Sequence, residues 1–355
     1  MILRQKRLFN FCFFKMNDIC DSLFAYRLPG EGAKIYSAKG KAVAGIVNNS
    51  FLIAPFEDPG KGFLSVSNLS SSDLSEADKF LKNLDNSTLK FKFPTSSSTK
   101  AEHKKVVEEI IRDTNMCPER KTIAARVIVE KEKIDIESSF RNLCKAFPNA
   151  FIFLFITPTS GCWLGASPEL LLKSSNQTLH TYALAGTRPA ETDNDWDYKN
   201  IREHLIVKQY IEDVFLKWGL NPVSSPLSTI SAGNVEHLFT DIRATKIPQK
   251  VKLSFPDFIS SLSPTPALCG YPKENSMKFI KKHEPIPRAY YGGFCGPYTN
   301  LDNFSLFVNL RSIWISDSAW SMFVGGGITC YSDPESEWDE TVNKSAGIIE
   351  NLVRI

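Results

Sequence analysis

No apolar run in this 355-residue chain approaches the length of a bilayer-crossing helix, so no membrane span is expected. A large excess of either charge is also missing. The 42 Lys+Arg against 39 Asp+Glu leave a net charge of +3, too little to argue for nucleic acid, and no basic stretch is interleaved with aromatics. Histidine is scarce, and none of the five forms an HxxxH or HExxH pair. The eight cysteines, Cys12, Cys20, Cys117, Cys144, Cys162, Cys269, Cys295 and Cys330, are dispersed, with no pair at metal-ligand spacing. Those two absences argue against a zinc site, and the thiols read as reduced and cytoplasmic rather than as a disulfide frame. No internal repeat is evident. What remains is ordinary for a globular chain: 43% hydrophobic and 23% charged residues, long enough for one large domain or two smaller ones with ample core.

The richest segment lies near the end. Gly325-Gly326-Gly327-Ile328 reads as a glycine turn after the strand-like Trp320–Val324, and it leads into a helix from Pro334. Ser332 or Asp333 can cap that helix, and proline suits its first position. Glu337, Glu340, Lys344 and Ile348 then share one face by their spacing. Trp338, Val342, Ile349 and Val353 share another, expected to be the core side. Two carboxylates and an ammonium beside polyglycine can hold a divalent cation and an anion together. Equally, Glu340 and Lys344 are an i,i+4 pair of the kind found on solvated helix faces.

Upstream, Ala42–Val47 and Ser50–Ala54 read as strands, Glu76–Leu84 and Ala101–Asp113 as helices, and Lys121–Val129 as a strand. Phe151–Ile156, Trp163–Gly165, Leu170–Lys173 and His180–Ala185 read as an antiparallel meander. Asp195–Trp218 is a long helix, and Phe304–Ile315 a strand. Blocks of strands broken by a few helices define an α+β fold. Residues 1–15 resemble a short signal peptide without a cleavage site and are read as a tail, with Met16 an alternative start.

Several side chains sit where chemistry is possible. Lys121 opens an apolar strand; it is a surface residue, or else a base if its end faces a closed pocket. Glu169, in the Gly165–Glu169 turn, is a solvent-facing hairpin residue or a desolvated neutral acid. Glu203 heads a helical stripe with Val207, Tyr210 and Val214, which is costly for a carboxylate unless it is paired or bound to a cation. Arg311 lies inside the apolar strand Phe307–Ile315 and needs an anion, internal or from a ligand.

In order along the chain, Lys121–Arg126, Gly165–Glu169, Ala185–Pro189, Glu203-His204, His237-Leu238, Pro264–Ala267, Arg288–Gly296, Arg311-Ser312, Gly325–Ile328 and Ser332–Lys344 resemble the chorismate-utilising enzymes. That family includes isochorismate, anthranilate, aminodeoxychorismate and salicylate synthases. The match runs over 101–355 as the catalytic region, with 16–100 a weaker N-terminal part of the same fold. The resemblance implies one α+β domain of packed, curved antiparallel sheets with outer helices, binding chorismate with Mg²⁺. It implies Glu203 and the Glu337/Glu340 pair as metal carboxylates. Arg311, Tyr291, Lys344 and the amides of Gly325, Gly326, Gly327 and Ile328 would hold the substrate carboxylates, and Thr187 and His237 would line the ring pocket.

Within the family, water-adding members carry lysine at the position of Lys121, where ammonia-using anthranilate synthases typically have glutamine. Aminodeoxychorismate synthases typically have lysine where Ala185 stands, and salicylate synthases depart from Ala185-Gly186-Thr187. By these marks the chain resembles the isochorismate synthases, with Lys121 the base and Glu169 the acid. Chorismate is then the one partner expected, with no nucleic acid, membrane or obligatory amidotransferase subunit.

Overall fold

The structure, a computed structural model, describes residues 22–67, 94–115, 117, 119–190, 194–232, 235–245 and 254–355. The tail at 1–15 and the helix expected at Glu76–Leu84 lie outside these. Two large antiparallel sheets dominate. The eight-stranded sheet runs Gly270–Tyr271, Lys121–Glu130, Trp320–Ile328, Ser312–Ile315, Gly161–Ser167, Phe151–Thr157, Ser22–Arg27 and Tyr36–Gly40. The ten-stranded sheet runs Pro222–Ser224, Val235–Thr245, Thr178–Pro189, Leu170–Ser175, Asn303–Val308, Phe294–Asn300, Ser50–Ala54, Leu64–Ser67 and Ala42–Ala44, with Ser228–Ala232 also paired to Val235–Thr245. The described helices are α1 (Lys100–Asn115), α2 (Ile136–Ala146), α3 (Tyr198–Lys217), α4 (Phe255–Leu262), α5 (Lys273–His283) and α6 (Pro334–Ile349). The α+β expectation therefore holds.

Alternation along the strands sorts the core into layers. From Phe151–Thr157, Phe151, Phe153 and Phe155 point into an aromatic core between the sheets, while Ile152, Leu154 and Ile156 point outward against α2. In the aromatic layer Phe151 stacks on Phe307 of the other sheet at 4.2 Å between centroids, and Phe24 on Phe51 at 4.8 Å. The far face of the ten-stranded sheet buries Leu172, Leu179 and Ile242 beneath Val207, Ile211 and Phe215 of α3. Phe151–Thr157 of the eight-stranded sheet is buried along its whole length and carries nearly continuous apolar sequence, as a strand covered on both faces does.

The chain crosses between the sheets several times, and two of the crossings lie side by side. One is the turn from Gly161–Ser167 to Leu170–Ser175, and the other joins Asn303–Val308 to Ser312–Ile315. The single strand expected over Phe304–Ile315 is therefore two, broken at Asn309–Arg311, where Arg311 adopts a positive φ of 48°. A flat strand cannot serve two sheets, so the backbone must bend there. The crossings are laced together: the Ala166 amide donates to the Arg311 carbonyl (3.1 Å), and the Val308 amide to the Glu169 carbonyl (2.9 Å).

Two expectations for the C-terminal segment are corrected. Gly325–Gly327 is not a turn but the continuation of strand Trp320–Ile328, with Gly325, Gly326 and Gly327 paired to Ala125, Ala124 and Ile123. The buried face of α6 is Glu337, Thr341, Ser345 and Ile348, whereas Val342 is 43% exposed and Val353 belongs to a short strand beyond the helix. A charged face turns inward because it borders a polar cleft rather than a core. Asp333 is the cap, accepting from the Ser336 amide at 2.8 Å.

Candidate active site

A cleft of about 860 Å³, including its open mouth, lies where the two crossings meet the glycine strand. Glu169, Thr187, Glu203, His237, Tyr291, Arg311, Gly325, Gly326, Gly327 and Lys344 all line it. Lys121, Glu337 and Glu340 stand just behind the lining, in contact with its glycines.

Lys121 is fully buried (0% exposed), not a surface residue, and its Nζ lies 2.7 Å from Glu203 Oε1. Glu203 comes from the first turns of α3, whose next inward residues, His204 and Val207, are buried. The strand fixes Lys121 on one side and the helix fixes Glu203 on the other, which pays the cost of a carboxylate in line with core residues.

Glu169 is 7% exposed and stands on the sheet crossing, so the solvent-facing alternative fails. Its turn is held by Tyr182, whose Oη donates to the Pro168 carbonyl (2.6 Å) and accepts from the Leu170 amide (2.7 Å). Burial pushes the Glu169 carboxyl up to about 7, against the opposing pull of Lys121 and Lys344. It is therefore an acid that holds its proton near neutrality.

The absent side chains of the glycine strand make room for the charged groups. A Cβ on Gly326 would stand 3.0 Å from Glu337 Oε2 and 3.2 Å from Glu340 Oε1. One on Gly327 would stand 2.5 Å from both Glu203 Oε1 and the Lys121 Cε. Gly325 differs, since its Cβ would meet the Ala124 carbonyl oxygen at 2.5 Å. Two variants should then fail differently. Gly325→Ala forces backbone apart and is expected to cost about 1–3 kcal/mol of stability, read as a lowered Tm. Gly327→Ala pushes only side chains, so it should keep its Tm within a few degrees while losing on the order of a hundredfold in turnover. Equal effects of the two on Tm would contradict this assignment.

Each carboxylate at this end has a lysine. Lys121 faces Glu203, Lys199 Nζ donates to Glu337 Oε1 at 2.7 Å, and Lys344 Nζ donates to Glu340 Oε1 at 2.6 Å and to the Gly325 carbonyl at 3.2 Å. Burial pushes Glu337 up, with Lys199 opposing and Glu340 adding to the rise. Burial pushes Glu340 up too, but Lys344, with smaller help from Lys199, outweighs it and the net direction is down. The second oxygen of Glu337, Oε2, is buried with no hydrogen-bond partner. Among the described residues no three His, Cys, Asp or Glu side chains converge as a metal-binding set as they stand.

The opposite part of the cleft is cationic. Arg311, displaced from regular strand by its positive φ, lines it with no hydrogen bond or ion pair to its guanidinium among the described residues. The internal acidic partner that a buried strand arginine would require is thus not what it has. Tyr291 stacks on Phe323 at 5.3 Å. The Nδ1 of His237 lies 3.2 Å from the Gly186 carbonyl and 3.1 Å from Thr187 Oγ1, and its Nε2 is buried without a partner. Burial pushes His237 down to about 4, and Arg311 and Lys344 push the same way, so the ring is neutral. With its proton on Nδ1, donating to Gly186, it offers Nε2 as an acceptor.

The sequence reading missed Lys199, Tyr182 and the buried Arg288–Glu284 pair. Arg288 Nε donates to Glu284 Oε2 at 2.8 Å, its other nitrogens reach the Leu268 and Ile123 carbonyls, and Glu284 accepts from the Ala125 amide, so the pair anchors the Lys121 strand. Lys199 lies four residues before Glu203 and so on the same helix face, a spacing that could have flagged it.

The chain belongs to the chorismate-binding enzyme family, whose model matches residues 64–353. Isochorismate synthase MenF of Escherichia coli (strain K12) is 32% identical over 213 residues, 56% of this chain and 48% of that protein. Anthranilate synthase component 1 of Streptomyces coelicolor is 30% identical over 229 residues, 61% of this chain and 44% of that one. The chain spans about half the length of these curated relatives. The solved structure of the menaquinone-specific isochorismate synthase MenF from Escherichia coli shares the fold, with a TM-score of 0.74 at 21% identity over 93% of this chain and 88% of that one.

Proposed function

We propose that the protein is an isochorismate synthase, converting chorismate to isochorismate with Mg²⁺. The observation that carries this reading is the pairing, at one cleft, of a fully buried lysine with a carboxylic acid held up to about 7. Such a pair suits one proton taken and one proton given without a change of oxidation state. Lys121 takes a proton from water as the water oxygen bonds to ring C2. The double bonds shift, and Glu169 gives its proton to the C4 hydroxyl, which leaves as water. One water enters and one departs, so substrate and product are isomers.

Arg311, Tyr291 and Lys344 would receive the substrate carboxylates, a role supported by the unpartnered guanidinium. His237 and Thr187 would border the ring. Glu203, Glu337 and Glu340 would hold Mg²⁺, and the unpartnered Glu337 Oε2 fits that use. When bound, the ion supplies positive charge that positions and neutralises a substrate carboxylate. The free thiols of Cys117, Cys144, Cys162, Cys269, Cys295 and Cys330 support a reducing, cytoplasmic setting. No described helix is long and apolar enough to cross a membrane.

Heavy-oxygen water tests the reaction directly. Isochorismate formed in it should carry one solvent oxygen at C2. Product without solvent oxygen would exclude water as the nucleophile. Separately, Glu203→Ala should shift the Mg²⁺ dependence of turnover to at least about tenfold higher concentration, the size of losing one charged ligand. An unchanged Mg²⁺ titration would remove Glu203 from the metal set.

A further inference from the structure

We propose that Lys199 is a tethered competitor for the divalent cation, occupying the charge position among Glu203, Glu337 and Glu340 until the ion displaces it. This rests on the reading of those carboxylates as the metal ligands.

Three observations carry it. First, the carboxylates do not converge on one point as they stand, and each has its own lysine, at 2.7, 2.7 and 2.6 Å. Second, the three lysines are not equally tied. Lys121 is enclosed on its strand, and Lys344 also donates to the Gly325 carbonyl, whereas the Lys199 ammonium has Glu337 as its one hydrogen-bond acceptor among the described residues. Lys199 stands in the first turn of α3, and its side chain is 25% exposed, so it can swing to solvent without opening the core. Third, the ammonium lies 2.7 Å from Glu337 Oε1, while Glu337 Oε2 and Glu340 Oε1 both lie against Gly326, 3.0 and 3.2 Å from where its Cβ would stand. The ammonium's partner is a carboxylate 2% exposed, with one oxygen on the ammonium and the other without a hydrogen bond of normal length, Ser332 being the nearby hydroxyl. Left without any cation, that carboxylate would be buried and uncompensated, a costly state.

The lysine therefore balances the Glu337 charge in the metal-free protein, and the ion must compete with it. Removing that positive charge should make the carboxylates a stronger cation trap. At an effective dielectric of about 20, one unit charge several ångströms away is worth more than a factor of ten in affinity.

Mg²⁺ binding to the substrate-free protein, read by titration calorimetry, tests this without relying on turnover. Lys199→Met and Lys199→Gln should each bind Mg²⁺ at least about tenfold more tightly than the parent, and Lys199→Arg should stay within about threefold of it. Thermal melting would show both neutral variants folded. Equal or weaker binding by both neutral variants would overturn the competitor role. If the parent binds Mg²⁺ and Glu337→Gln weakens it while the lysine variants change nothing, only the role of Lys199 falls. If neither the parent nor the lysine variants take up Mg²⁺, the assignment of the carboxylates falls and the competitor role falls with it.

Discussion

Lys121→Ala is expected to lower turnover at least about a hundredfold even at saturating Mg²⁺, the usual contribution of a positioned general base. The condition matters, because Lys121 has two possible roles on the geometry of the site. It lies 2.7 Å from Glu203 Oε1 and could serve only as that carboxylate's counterion. A counterion becomes dispensable once a divalent cation occupies the site, whereas a base does not. Turnover measured across a Mg²⁺ titration separates the two. A loss that persists at the plateau identifies the base, and a loss that Mg²⁺ repairs leaves Lys121 as a structural partner. The fold should tolerate the change, since Arg288 and Glu284 hold the same strand independently, through Ile123 and Ala125.

Glu169→Gln should cost a similar factor in turnover, at least about a hundredfold, and at the same time stabilise the protein at alkaline pH. The two effects share one cause. Burial raises the carboxyl from its ordinary 4.5 to about 7 in the folded protein. The folded state therefore holds a proton between those values that the unfolded chain has released, and stability falls as pH rises through that window. The penalty at pH 8 is on the order of 3 kcal/mol, and glutamine, which does not ionise, escapes it. Parent turnover should likewise decline as pH rises through about 7, because the acid must carry its proton to release the hydroxyl. Melting temperatures of parent and variant at pH 5 and pH 8 provide the check. A variant with unchanged pH dependence of Tm would mean that Glu169 titrates normally. One with turnover within a few-fold of the parent would mean that it is not the acid.

How far the sequence speaks depends on which forces it records. Alternation and apolar runs record burial, so the strands Ser50–Ala54 and Lys121–Glu130 and the long helix α3 were legible to within a few residues. Ordered motifs recorded the site, and the residues they named line or adjoin one cleft. Gly325–Gly327 misled because glycine ordinarily marks a turn. Here it marks a straight strand approached closely by Glu337, Glu340, Glu203 and Lys121, which is a fact about neighbours far away in the chain. The buried face of α6 misled for a related reason: hydrophobicity predicts which side meets a core, but this helix meets a polar cleft. Asn309–Arg311 looked like strand because its flanks are strands, although they belong to different sheets. Lys199 was passed over because a lysine near a helix start is usually solvated, and its partner Glu337 is 138 residues away.

An enzyme that replaces the C4 hydroxyl of chorismate by one at C2 leaves the side chain in place. Incubating the protein with chorismate, with and without Mg²⁺, and resolving the products chromatographically tests this most directly, since mass cannot separate isomers. A Mg²⁺-dependent approach to a mixture of chorismate and isochorismate, with no pyruvate released, is the predicted result. Salicylate with pyruvate, or an amino product formed only when ammonia is added, would contradict it.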